Sequence, residues 1–322
     1  MQQPAQVDVH VDAILTNISI AYIQKASNFI SQKVFPVVPV DKQSDKYFKY
    51  NKQDWFRDEA ELRADATESA GSGYGLSTDF YQASVYAFHK DIGDQVRENT
   101  DNPLDPDRDA TQFVTQRMML RQEIQWASDY FKTGVWATDV TGGTNFTQWS
   151  DYAGSDPIED IELGKATILS TTGFEPNTLV LGYAVFRKLK NHPDIIDRIK
   201  WTNSDVVTEQ LLAKYFDVDR VLVAKAIKNT AAEGVTASYS FVHTNSAWLG
   251  YVNPTPGILQ PSAGYVFTWK GVSDGLGTNI GITRFRMQHL RADRVEAQIA
   301  WTNKIVATDL GYFFSSAVAS SI

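Results

Sequence analysis

The chain of 322 residues contains no cysteine, which removes disulfides, thiolate nucleophiles and cysteine metal sites together and fits a reducing compartment. It has no apolar run approaching eighteen residues, so no segment reads as a membrane-spanning helix and no membrane partner is expected. The opening residues, MQQPAQVDVHVD, show neither the positive flank nor the apolar stretch of a secretory leader, so assembly in the cytoplasm is the expectation. Positive charge is the minority: 30 Lys and Arg stand against 38 Asp and Glu, a formal net charge of −8. A dedicated nucleic-acid binder draws its affinity from phosphate neutralisation, so this balance argues against one and leaves room for non-specific contact only.

Catalytic signatures are also missing. His10, His89, His192, His243 and His289 are scattered, with no HExxH or HxH spacing. The acidic run Asp101, Asp105, Asp107 and Asp109 begins like a calcium loop, but Ala110 stands where glycine is needed and Gln116 where a bidentate glutamate is needed. Helix capping accounts for it better, and a metal-dependent hydrolase built on that cluster remains only a remote alternative. The glycines of GSGYG, at 71, 73 and 75, lack the spacing of a phosphate-binding loop and read as a flexible turn. There is no G-x-S-x-G and no kinase set, and pairs such as Glu159 with Glu162 are what any acidic protein carries. No enzyme, metal or cofactor is expected.

What is present is a folded chain, 43% hydrophobic and 21% charged, of a size that suggests two globular lobes. The stretch from Asp105 to Gly134 reads as one long helix, with Asp105 as cap, Pro106 at the first position, acids in the first turn, and Lys132 and Gly134 at the end. Ala110, Phe113, Leu120, Ile124, Ala127 and Phe131 form an apolar stripe interrupted by Arg117, with Phe113, Leu120, Ile124 and Phe131 as its expected core. Val114, Met118, Trp126 and Tyr130 widen it. At 1.5 Å per residue such a helix spans roughly 40 Å, and with no second heptad segment to pair with, it needs a sheet or ribbon against it.

Along the rest of the chain, Val7, Val9 and Val11 and then Ile14 to Ile23 read as an arm with a helical turn, and Pro36 and Pro39 force an extended course. KYFKYNKQDWF and DFYQASVYAFHKD read as the strands of a long hairpin around a polar, charged tip. ATDVTGGTNFTQWSDYAGSD reads as a surface loop. A helix opened by Pro157 and ended by Gly173, the strand PNTLVLG, the helix YAVFRKLKNHP, a helix capped by Ser204 and the strand VDRVLVAKA give a mixed α/β region. FVHTNSAWLGYV, GYVFTWKGV and the segment from Gly281 onward supply further strands. Alternation around Arg284 and Arg286 predicts a half-buried ribbon.

This order of parts, together with DPDRDATQFVTQRMMLRQE followed by TGVW, LVLGYAVFRKLKNHPDIIDRIK, and FRMQHLRADRVEAQIAWTNKIVATDLGYFF, resembles the major capsid proteins of tailed double-stranded DNA bacteriophages. The resemblance covers about residues 30 to 318. It implies an α+β fold of the HK97 type: N-terminal arm 1–46, extended loop 47–91, peripheral domain 92–173 with its spine helix 105–134, axial domain 174–275, and a C-terminal β return 276–322. It also implies a structural function, pentamers and hexamers of one chain closing an icosahedral shell around a genome, with a portal, a separate scaffolding protein and a possible decoration protein as partners. The acidic balance suits a wall along which DNA slides. An encapsulin-like nanocompartment on the same fold is the alternative. Because residues 57–78 contain no lysine, subunits are expected to lock without a Lys–Asn crosslink. Contact between subunits is expected through the loop, with Trp55 and Phe56 at its base and Glu59, Glu61, Asp65 and Glu68 meeting Arg284, Arg286, Arg291 or Arg294 of a neighbour.

Overall fold

The computed structural model describes residues 23–101, 104–199, 207–257, 259–272 and 280–319. The expected arm strand at Val7–Val11, the turn that follows it and the Ser204 cap lie outside them. The long helix runs from Pro106 to Tyr130, and the Asp105 carboxylate accepts from the amides of Asp107 and Arg108, as the capping pattern required. It stops four residues short of Gly134. The Trp136 indole N–H donates to the Tyr130 carbonyl, taking an acceptor that a further turn would have used.

The helix lies across two strands of a five-stranded sheet, Ser84–Gly93 and the 14-residue Ala292–Ile305. Val37–Val40, Gly264–Trp269, Ala292–Ile305 and Gly281–Met287 follow in that order, and Ser84–Gly93 also pairs with Ala292–Ile305. A second five-stranded sheet has the order Thr138–Thr141, Gly311–Ser315, Ala247–Gly250, Thr178–Gly182, Arg220–Ala224. Helix Pro157–Thr172 covers it, with Asp156 as cap and Gly173 as the left-handed stop (φ +75°). One continuous hydrophobic cluster runs from Val295 and Ala297 of the first sheet to Leu179 and Leu249 of the second, so the two expected lobes share a core.

Several local expectations change. The second run of the hairpin divides at Ala83: Leu76–Gln82 pairs within the hairpin, whereas Ser84–Gly93 turns into the first sheet. The C-terminal return divides too, because Gly311–Ser315 joins the second sheet rather than the first. The expected surface loop after the long helix holds the strand Thr138–Thr141 and Trp149, fully buried against Phe146 and Phe314; a four-residue polar strand gives too little alternation to be seen. Pro193–Ile199 is an extra helix, and Thr208 caps Glu209–Tyr215.

On the long helix the wider stripe is the buried one: Ala110, Val114, Met118, Gln122, Trp126 and Tyr130 recur every four residues. Phe131 is also buried, but Phe113, Leu120 and Ile124 are only half-buried. Leu120 and Ile124 pack on a small cluster of Phe29, Ala226 and Val242. Phe113 meets Phe88 of the sheet, and the guanidinium of Arg117, the residue that interrupts its stripe, lies over the Phe113 ring at 5.1 Å.

Beside Trp126 sits Glu123, with no solvent exposure. One of its oxygens accepts from the amides of Ile30 and Ser31 (2.9 and 2.8 Å) and the other meets His243 Nε2 at 2.7 Å. Glu123→Ala strands two amides and an imidazole in the interior and is expected to cost roughly 3–5 kcal/mol by urea unfolding. Val114→Asp is expected to abolish soluble expression, while Leu120→Asp, at a half-buried position, yields soluble protein; equal insolubility of both would contradict the ranking of the two stripes.

Candidate interaction surfaces

The hairpin pairs Ser44–Tyr50 with Leu76–Gln82, Phe48 opposite Thr78. Alternation gives it two faces. On the inner face Tyr47 and Tyr81 stack against Phe267 (centroids 5.9 and 4.6 Å), and Asp79 accepts from the Tyr47 hydroxyl and from Lys304. Burial first, and then the bond to Asp79, push the Tyr47 phenol far up. On the outer face Phe48, Leu76 and Phe80 are 61%, 52% and 63% exposed, an apolar strip on a two-stranded ribbon whose Phe80 ring carries the Lys304 ammonium at 5.2 Å.

The hairpin base is tied down. Asn51 caps the short helix Lys52–Trp55, Asp54 accepts from the Gly75 amide at 2.8 Å, and Tyr50, Trp55 and Tyr74 pack together. Lys52 donates to Asp309 and to the Thr171 carbonyl, and Phe56 lies against Gly173 at the end of helix Pro157–Thr172. Trp55 and Phe56 therefore keep one side in solvent and the other on their own chain. Beyond them Glu59, Glu61, Asp65 and Glu68 are all exposed, and Leu62 is fully so. Among the described residues only Glu59 has an ion-pair partner there, Arg57 at 3.7 Å.

The cations expected to receive this tip are not uniformly available. Arg294 makes a bidentate pair with Asp91 (2.7 and 2.8 Å), which holds the Asp91 carboxyl below its usual range. Arg286 is forked onto Asp94 and also reaches Asp293, while Arg97 joins Asp293 to Asp107. Among the described residues Arg284 makes only a 3.5 Å contact with Asp107, which Arg97 already holds at 3.0 Å, and it is half-exposed. Arg291 is exposed in a left-handed turn (φ +47°). The strand Gly281–Met287 is not half-buried: Ile282 through Arg286 are exposed on both faces. It is an edge strand, paired only with Ala292–Ile305 among the described residues.

One constellation had no signal in sequence. Ser155, His192 and Asp194 come together, with Ser155 Oγ 3.0 Å from His192 Nε2 and Asp194 Oδ2 3.5 Å from Nδ1. The residue types are those of a hydrolase triad, but the proton is misplaced. Ser155 donates its hydrogen to the Asp151 carbonyl at 2.6 Å, so the imidazole must donate to the serine rather than accept from it. Both side chains are buried, so the trio clamps a turn to a helix. Lys165, also buried, likewise serves structure, donating to the carbonyls of Phe216 and Asp217. Among the described residues no group of three or more His, Asp or Glu is placed to hold a metal.

No protein-family model matches the chain. Two curated relatives align end to end. The major capsid protein of Burkholderia phage BcepMu is 27% identical over 313 residues, 95% of this chain and 96% of its own. The major capsid protein of Pseudomonas phage JBD67 is 26% identical over 344 residues, 96% of this chain and 98% of its own. Among solved structures, a phage-related protein of Bordetella bronchiseptica RB50 is 24% identical and covers 91% of this chain and 94% of that one, with a TM-score of 0.67. The capsid of cyanophage P-SCSP1u covers 99% of both at 11% identity and 0.61. An encapsulin complex of Synechococcus elongatus PCC 7942 covers 96% of both at 10% identity and 0.57. The fold is therefore the α+β, HK97-like fold of phage capsids, and the resemblance read from the sequence is borne out.

Burial holds the His192 imidazole below its ordinary pKa of 6.5. Its folded value lies under its unfolded one, so its contribution to stability is complete above pH 6.5 and declines as pH falls through and below that point. Thermal unfolding followed from pH 7.5 to 5 is expected to fall more steeply for the native chain than for His192→Gln; parallel slopes would contradict this.

Proposed function

We propose that this chain is the shell protein of a tailed-phage capsid, a structural component and not a catalyst, assembled from many copies of itself. The observation that carries this reading is the end-to-end likeness to two phage major capsid proteins, with nearly the whole of each chain matched. The encapsulin shares the fold, but both curated relatives are phage proteins, and they favour the phage shell.

On this reading the copies form pentamers and hexamers in the host cytoplasm, with a portal, a separate scaffolding protein and non-specific contact with packaged DNA. The shell's strength is additive: each contact is modest, and repetition around every subunit makes the particle stable. The long helix with the first sheet corresponds to the peripheral domain, the second sheet and its helices to the axial domain, and the hairpin to the extended loop. The outer strip of Phe48, Leu76 and Phe80 and the tip support the loop as the part that reaches a neighbour, since both are exposed among the described residues.

The purified chain is expected to appear as closed shells by negative-stain microscopy. Replacing residues 62–76 by a short Gly-Ser turn is expected to leave thermal unfolding within a few degrees of native and to abolish closed shells. Intact shells from that variant would take the tip out of assembly.

A further inference from the structure

Charge of one sign gathers along the middle of the long helix. Between Asp109 and Asp129 the helix carries two cations, Arg117 and Arg121, and one acid, Glu123, which is fully buried on His243. The exposed residues of that stretch are Gln112, Arg117, Arg121 and Ser128. Its outer side is therefore positive, in a chain whose net charge is −8.

The cations rest on aromatic rings. Arg117 lies over Phe113 at 5.1 Å and Arg121 over Tyr86 at 5.3 Å, while Lys90 of strand Ser84–Gly93 reaches the Phe113 ring at 5.5 Å. The rings are themselves fixed, since Tyr86 stacks on Trp301 at 4.1 Å and Phe113 meets Phe88. Arg121 also donates to Gln125, whose amide donates to Asp129. Three cations are thus held along the seam between the helix and the strand, with Arg117 and Arg121 one turn, about 6 Å, apart. A guanidinium on a ring keeps N–H groups for a second partner and has already given up rotamer freedom, so an anion that takes it meets little ordering cost.

We propose that this seam is the surface on which the shell holds its genome, with Lys90, Arg117 and Arg121 taking backbone phosphates of duplex DNA without reading its bases. Phosphate contacts position a duplex and carry no sequence information, which is all that an enclosing wall requires. The acidic remainder of the chain repels phosphate and confines the contact to the seam. A protein partner is disfavoured because its contact would bury apolar and aromatic surface, whereas here the rings lie beneath the cations.

This inference rests on the shell reading, and its test separates the two. The unassembled chain, at a concentration where microscopy shows no shells, is titrated with a short labelled duplex by fluorescence anisotropy between about 50 and 200 mM salt. Three phosphates give an expected slope of log K against log salt of about −2.7; Arg117→Gln with Arg121→Gln is expected to bring it to about −0.9 and to weaken binding at least about tenfold at the low-salt end. Lysine at both positions is expected to keep the native slope, and Arg57→Gln with Arg63→Gln, on the hairpin, to leave it unchanged. An unchanged slope in the seam glutamine variant overturns the proposal. So does poly-glutamate that displaces the duplex at equal charge concentration, which would make an acidic protein the partner. The chain has no cysteine, so Arg117→Cys supplies a single thiol. A bulky polyethylene-glycol maleimide is expected to label it in the free chain and not in closed shells, and equal labelling of both overturns the inward placement. Closed shells with an unchanged slope remove this inference and leave the shell reading intact; a native chain that forms no shells overturns both.

Discussion

A single buried carboxylate holds three parts of this chain together. Glu123 projects from the middle of the long helix, takes the amides at the start of helix Ser31–Val34 and meets His243 beside the second sheet. A carboxylate removed from water is costly unless every lone pair is matched, so the arm, the helix and the segment carrying His243 must be in place at once. The arm is then laced further by Gln32 to Gln122 and by Arg220 to the carbonyls of Lys33 and Val34. Satisfaction of one charge thus orients the helix relative to both sheets, and the hairpin and edge strand take their positions from that frame.

Elements whose ends are marked by local chemistry were legible in the sequence. Asp105 before Pro106, Pro157 at a first helical position, and Gly173 after the last turn announce their helices because caps act within a few residues. The buried face of the long helix was ranked wrongly for a physical reason: two of its buried positions are Gln122 and Glu123, which a count of apolar residues sets aside, although their partners come from residues some ninety or more away. Phe113 drew attention as apolar and proved to be a half-buried ring shared between Phe88 and Arg117.

The candidate surfaces were legible in part. Alternation in the hairpin predicted its pairing, and its charged tip is exposed as composition implied. Which arginines are free was not legible. Arg286 and Arg294 are held by Asp94 and Asp91, about two hundred residues earlier in the chain, and the register of Ala292–Ile305 between its two neighbours sets those meetings. The exposure of Gly281–Met287 on both faces is likewise a property of its place at the sheet margin and not of its residues.

The second sheet is closed by its latest strand. Gly311–Ser315 lies between Thr138–Thr141 and Ala247–Gly250, and its Phe314 faces Val140 across 174 residues of chain. At a synthesis rate of roughly 5–20 residues per second, about 10–35 s pass between the emergence of the two partners from the ribosome. Throughout that interval the place beside Thr138–Thr141 is vacant and Trp149 lacks its contact with Phe314. Only a chain translated through residue 315 can bring the two edges of this sheet together.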